Sequence, residues 1–299
     1  FTPRAADRWR PAMRGFLDQL WAPVANAGAC DLVEALCRPY PAMTIATVMG
    51  APLADAPRLH RWSNVIQKQF DPEALMTERA EIERAVEEFY AYAHALLDER
   101  RAAAGGTISL MSELLAAEAD GDRLSDVECV NLVLNVLIGG VDTTQAQLAH
   151  TVRLLAEHPD QWALLRADPS LAGAAVREAL RHEPITPFTA RIVVQDIEHR
   201  GVTFPAGTVV LVASFAANRD GVADGERFDL TRTDGGRLVT FGAGIHYCLG
   251  ANLAKAELEE AVGFLAARVA SLELAGEPVF GSVNGIYGLD ALPLRFTAA

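Results

Sequence analysis

Cysteine is scarce in this sequence, four residues in 299, and one of the four stands in the stretch from Phe241 to Glu257, FGAGIHYCLGANLAKAE. Cys248 follows Gly242, Gly244 and His246, precedes Gly250, and is succeeded at once by an amphipathic run. Glycines at these positions let the backbone pass close to something bulky. A helix beginning near Gly250 points its N-terminus at the sulfur, which stabilises a thiolate. The free N–H groups of that first turn can also donate to the sulfur and tune it. A thiolate in a glycine-lined loop that excludes water suits an axial metal ligand. A lone cysteine is ordinarily a small buried hydrophobe, but that reading leaves Phe241, the glycines and His246 unexplained as a group.

Three further stretches carry chemistry. In GGVDTT, Gly139 and Gly140 sit inside a helical run, where each costs about 1 kcal/mol relative to Ala. Asp142 and Thr143 follow in apolar surroundings; a buried Asp is costly unless paired, and Thr can bond back to the carbonyl four residues earlier. Local rules broken together mark a functional site, with a packing pair of glycines beside a solvated Asp as the alternative. In REALR, Glu178 and Arg181 lie three apart on one helix face, and taken alone they read as an ordinary surface ion pair. In PITPFTARIVV, Pro184 and Pro187 forbid helix and impose an extended course past Arg191.

The elements that must position these residues follow from periodicity and breakers. The first half reads as successive helices rich in Ala, Leu, Arg and Glu. The clearest runs from Asp71 to the glycines at 105 and 106, which act as its stop. Ser125 and Glu128 form a capping box ahead of a second run that His158–Pro159 ends, giving one helix of about thirty residues across the domain. A helix from roughly Leu171 to His182 comes next. Then β-branched runs separated by Gly and PAG predict short strands and hairpins from Ala190 to Asp220. Residues 221–236 read as loop, the run after Cys248 as a helix to about Ala270, and NGIYGLDALPLRF as a terminal hairpin. The class is mainly α with a small β part, in a single domain spanning residues 1–299.

Composition bounds the function. Hydrophobic residues are 51% and charged residues 22%, a globular balance. A formal charge of −13 argues against nucleic acid or an anionic membrane as partner. The apolar run VVLVASFAA is too short to span a bilayer, and no signal-peptide pattern opens the chain. Cys30, Cys37, Cys129 and Cys248 show no C-x-x-C spacing, which argues against a disulfide framework or zinc ribbon and fits a reducing, cytoplasmic setting.

With these residues in place, F-G-x-G-x-H-x-C-x-G from Phe241 to Gly250 resembles, at every fixed position, the haem-binding signature of the cytochrome P-450 family. The resemblance extends over essentially the whole chain. It implies haem b (iron protoporphyrin IX), with Cys248 as the proximal thiolate ligand, Phe241 near the sulfur, and His246 and Arg191 on the propionates. Gly242, Gly244, Leu249, Gly250 and Ala254 would lie against the haem, and Gly139 and Gly140 would let haem and dioxygen approach the backbone. Asp142 and Thr143 would be the acid–alcohol pair that delivers protons. Glu178 and Arg181 would form a buried architectural pair joined by Arg219 from the ANRDG loop. Two departures stand out: Gly221 where the family usually has Pro, and Leu238 where many soluble members have His, with Arg237 adjacent. The resemblance also implies that the family's N-terminal part is absent here, namely the first strands, the loop over the substrate, and a helix offering a basic residue to a propionate. A haem bound without them would be open on one flank.

The leading expectation is a bacterial-type monooxygenase. It would take electrons from a ferredoxin system and insert one oxygen atom of dioxygen into a mostly hydrophobic small molecule of secondary metabolism. Candidate substrate-lining residues are Ile66, Phe70, Asn135, Ile138, Pro187, Phe188, Asn284 and Ile286. Arg237, Lys255 and Arg268 could form a docking patch for the acidic redox partner. A peroxide-driven or isomerase-type haem-thiolate enzyme is one alternative, and a non-enzymatic fragment unable to hold haem is another.

Overall fold

Caps and breakers set the helix ends. The Ser125 side chain accepts from the N–H of Glu128, whose carboxylate accepts from the N–H of Ser125 at 2.7 Å, completing the capping box. His158 leaves the helical region (φ −123°, ψ 76°) ahead of Pro159. The structure, a computed structural model, describes residues 1–102, 108–119, 124–234, 236–281 and 286–299. Its helices in the first half are α1 (Pro3–Asp7), α2 (Arg10–Trp21), α3 (Pro39–Met49), α4 (Ala56–Gln67), α5 (Pro72–Thr77), α6 (Arg79–Ala102) and α7 (Leu110–Ala119), with the short strand β1 (Ala29–Asp31) after α2. Then come α8 (Asp126–Gly140), α9 (Asp142–Glu157), α10 (Pro159–Ala167) and α11 (Ala172–His182). Strands β2 (Phe188–Ile192), β3 (Ile197–His199), β4 (Val202–Phe204) and β5 (Val209–Ala213) lead to α12 (Ser214–Ala217) and α13 (Ala251–Arg268). The chain closes with β6 (Val269–Leu274), β7 (Val279–Phe280), β8 (Leu289–Ala291) and β9 (Pro293–Ala298).

The mainly α class is observed, and several boundaries differ from expectation. The thirty-residue helix is two, broken at Val141 (φ −86°, ψ −70°). There the Thr143 hydroxyl donates back to the Gly139 carbonyl, the i−4 bond that bends helices. The run from Asp71 breaks at Glu78 (φ −115°, ψ 13°) into α5 and α6; the glycines expected to stop it lie outside the described residues. Helix α10, opened by Pro159 at its first position, was not anticipated. The expected terminal hairpin is shifted: β8 pairs back with β7, while β9 sits between β1 and β6 as the middle strand of a three-stranded sheet. Hairpin pairs β2–β5 and β3–β4 match the predicted strands.

The core gathers around α9, which touches α3, α4, α11 and α13 and is buried along most of its length. By length and composition, Asp126–Glu157 is the one run among the described residues apolar enough to cross a membrane. Of this run, α9 is buried along most of its length, whereas in α8 the buried residues are Cys129, Val130, Val133, Leu137 and Ile138. Among the largest wholly buried side chains are Tyr40, Trp62, Phe89 and Phe228. All four cysteines are free thiols.

Candidate functional site

The break between α8 and α9, the end of α11, the extended segment 185–191, loop 240–250 and the first two turns of α13 enclose a largely apolar cavity of about 670 Å³. That is within the range of ligand sites. Cys248 is half-buried on its wall. Its N–H donates to the Phe241 carbonyl at 2.9 Å, closing the loop, and Gly242 and Gly244 (φ 71° and 70°) make the left-handed turns that no other residue takes cheaply. Burial pushes the thiol above its ordinary value. The N–H groups of Gly250 and Ala251 at the start of α13, and the Lys255 ammonium, pull it back down. The helix N-terminus therefore does face the sulfur, as the sequence predicts. Lys255 also lies 5.7 Å from the centroid of the Phe241 ring.

The cavity fits a large flat cofactor on three counts. A Cβ added at Gly139 or at Gly250 would meet nothing within 4 Å, so two cavity-lining backbones present open space. Arg191 and His246 line the cavity without an ion-pair partner among the described residues; the one bond of the Arg191 guanidinium runs to the neighbouring Ala190 carbonyl at 2.8 Å. Leu249, Leu253, Ala254 and Leu258 supply an apolar wall next to the sulfur.

Other expected residues behave differently. Gly140 lines the cavity as expected and also serves packing: its Cβ would come 2.4 Å from the tip of Ile45 on α3. Thr143 lines the cavity, but Asp142 turns away from it. The Asp142 carboxyl is buried against α4, where the Ser63 hydroxyl donates to Oδ2 at 2.6 Å. Burial raises its pKa against the lowering effects of Ser63, the charge of His60 and the Asn64 amide. The Glu178–Arg181 pair is buried, with Arg181 donating to both carboxylate oxygens at 2.7 and 2.8 Å. The arginine that joins it is Arg232, at 3.3 Å from Glu178, and not Arg219. Arg219 stacks 3.7 Å over the Phe215 ring centroid and pairs with the exposed Glu226 at 3.1 Å. Arg232 also holds the carbonyls of Ala223, Asp224 and Arg227, so it ties loop 221–236 to α11.

Of the substrate-lining candidates, Asn135 borders the cavity. Ile66 lies on the inward stripe of α4 with Leu59, Trp62 and Ser63, and Ile138 is in the core with Leu137. Phe70 is exposed and outside the cavity wall. Phe188, 58% exposed, misses the wall because alternate residues of a strand face alternate sides and Thr189 and Arg191 face in; Pro187, just ahead of the strand, does not line it either. Ile286 does not line it, and Asn284 lies outside the described residues. Arg268 is bound to Asp18 at 2.7 Å and stacks on Phe264, whereas Arg237 and Lys255 share a second hollow with Arg177. Sequence reading missed Glu257, fully buried in the cavity wall with Oε2 unpartnered, and Gln147, whose Oε1 is unpartnered there. The signal for Glu257 was available: it falls on the apolar face of α13 between Leu253 and Ala261.

Known proteins resemble this chain along nearly its whole length. The family model described as Cytochrome P450 matches residues 61–265. Luteothin monooxygenase of Streptomyces thioluteus is 37% identical over 306 residues, covering 100% of this chain and 73% of that protein. Cytochrome P450 monooxygenase PikC of Streptomyces venezuelae is 35% identical, covering 99% and 71%. Among solved structures, that of CalO2 superposes with a TM-score of 0.92 at 33% identity, over 99% of this chain and 75% of that one.

Proposed function

Since the chain belongs to the cytochrome P450 family and is a P450 monooxygenase, we propose that it holds haem b on Cys248 and oxygenates a mid-sized, mostly hydrophobic molecule, with electrons from a ferredoxin system in a reducing cytoplasm. The observation that carries this reading is the Cys248 sulfur at the wall of the 670 Å³ cavity, faced by two helix N–H groups. Bound there, haem supplies dioxygen activation and transfer of one oxygen atom.

The chain's own residues do the rest. Cys248 gives up its proton and donates charge, tempered by the N–H groups of Gly250 and Ala251. Arg191 and His246 are free to pair anionic carboxylates, a charge-assisted contact. The apolar wall from Leu249 to Leu258 excludes water, and Asn135 and Thr186 offer isolated polar contacts that can orient a hydrophobic substrate. The Thr143 hydroxyl, which donates to the Gly139 carbonyl, lines the cavity and would pass a proton into it, with the preceding residue, Asp142, as the acid of the pair.

The test is the carbon-monoxide difference spectrum of the dithionite-reduced protein loaded with haem. A strongly red-shifted Soret band, lost in Cys248→Ser, is the expected outcome. A band at the shorter wavelength of a thiol- or imidazole-ligated haem, or no haem retained at all, overturns it.

A further inference from the structure

We propose that Ser63, on α4, is the positioning residue for Asp142: it holds the carboxyl at the α4 face of α9, so that protons reach Asp142 from the solvent side of α4. The inference rests on reading Asp142 and Thr143 as acid and alcohol. Three observations carry it. Ser63 is wholly buried and its hydroxyl is 2.6 Å from Asp142 Oδ2, against 3.4 Å from the Leu137 carbonyl, so its one proton goes to the carboxylate. Asp142 is absent from the cavity wall, although its neighbour Thr143 is part of it. The other oxygen, Oδ1, is buried without a partner.

The groups that act on this carboxyl are Ser63, His60 and Asn64, all from the same helix. Asn64 is exposed, and His60 is half-buried with its Nε2 2.9 Å from Gln145 Oε1 on α9. His60 and Asn64 flank Ser63 on α4, and both reach solvent.

The proton accounting is simple. Thr143 releases its hydroxyl proton into the cavity and takes one from the Asp142 carboxyl. The carboxylate left behind is stabilised by the Ser63 O–H and takes a proton from solvent past Asn64 and His60. Ser63 favours the charged form, so it opposes the effect of burial. Without it, the carboxyl keeps its proton to higher pH and loses its fixed orientation.

The experiment compares Ser63→Ala and Ser63→Thr with the parent. In the haem-free chain, the infrared carbonyl band of protonated Asp142, assigned by its loss in Asp142→Asn, is followed against pH. Its midpoint should rise by about one pH unit in Ser63→Ala, the loss of one hydrogen bond to a charged group, and return in Ser63→Thr. In the haem-loaded enzyme, the share of electrons released as peroxide should rise several-fold in Ser63→Ala, with haem content and the ferrous–CO band unchanged. An unmoved midpoint overturns the positioning role. A moved midpoint with unchanged peroxide overturns the uptake route. Absence of the CO band in the parent would instead overturn the haem-thiolate reading, while the infrared titration still decides the contact.

Discussion

Glu257 lies at 1% exposure in the cavity wall, with its Oε2 unpartnered and the Thr44 side chain of α3 acting on it. Burial holds its pKa well above the ordinary carboxylate value. The folded chain therefore keeps this proton to higher pH than the unfolded chain does, and the linkage has a definite sign: stability falls as pH rises above about 4.3 and on through the raised native value. Glu257→Gln keeps the shape and removes the titration. It should melt above the parent at pH 7 to 8, with the difference closing towards pH 4 in thermal scans. An equal offset at every pH would mean that the carboxyl is not the source. The contrast with Cys248 shows what a sequence makes legible. The cysteine site is written in consecutive positions, Phe241 to Gly250, so local chemistry identified it. Asp142 and Thr143 are also consecutive, but successive helical residues point about 100° apart, so adjacency in sequence separated the acid from the cavity that the alcohol lines. The burial of Glu257 was legible from its place between Leu253 and Ala261 on the apolar face of α13, but its position in a cavity wall needed the fold.

At the scale of elements, the largest correction concerns which arginine fastens loop 221–236. ANRDG and the loop's end both offer one, and sequence spacing does not choose between Arg219 and Arg232. The fold does, because Arg232 turns inward to Glu178 and to three loop carbonyls while Arg219 lies over Phe215. Arg232→Ala removes a hydrogen bond to a buried carboxylate and should cost about 2 kcal/mol in urea unfolding. It should also open residues 221–236 to limited proteolysis. Arg219→Ala loses a cation–π contact and a pair with an exposed glutamate, about 1 kcal/mol or less, and should leave cleavage of the loop unchanged. The reverse order would restore the expected pairing. The helices were legible because Ser125, Glu128 and Pro159 punctuate them locally. The break at Val141 was not, since Val is an ordinary helical residue and the bend comes from the glycines and threonine beside it. The terminal hairpin was misread for a non-local reason: β9 finds its partners in β1, at the other end of the chain, and in β6.

Across the whole molecule, a net charge of −13 makes any cluster of cations conspicuous. Arg177, Arg237 and Lys255 border a hollow of about 480 Å³ that shares Phe241 with the cavity holding Cys248. An acidic electron carrier seated there would stand one aromatic ring from the sulfur loop, and the surrounding negative charge would repel it from most other approaches. Arg268 belongs to a different surface, since Asp18 and Phe264 hold it. Arg237→Glu is the cleaner probe, because Lys255 also acts on the Cys248 thiol. For that variant, reduction by a plant-type ferredoxin should slow by about tenfold at low salt, the size of effect expected when a steering charge is reversed. The parent's rate should fall with ionic strength towards the variant's as the Debye length shrinks to about 3 Å near 1 M salt. Arg268→Glu should track the parent at every salt concentration. If Arg237→Glu and the parent keep the same rates and the same salt slope, electrons enter by another face and the hollow beside Phe241 has no part in their delivery.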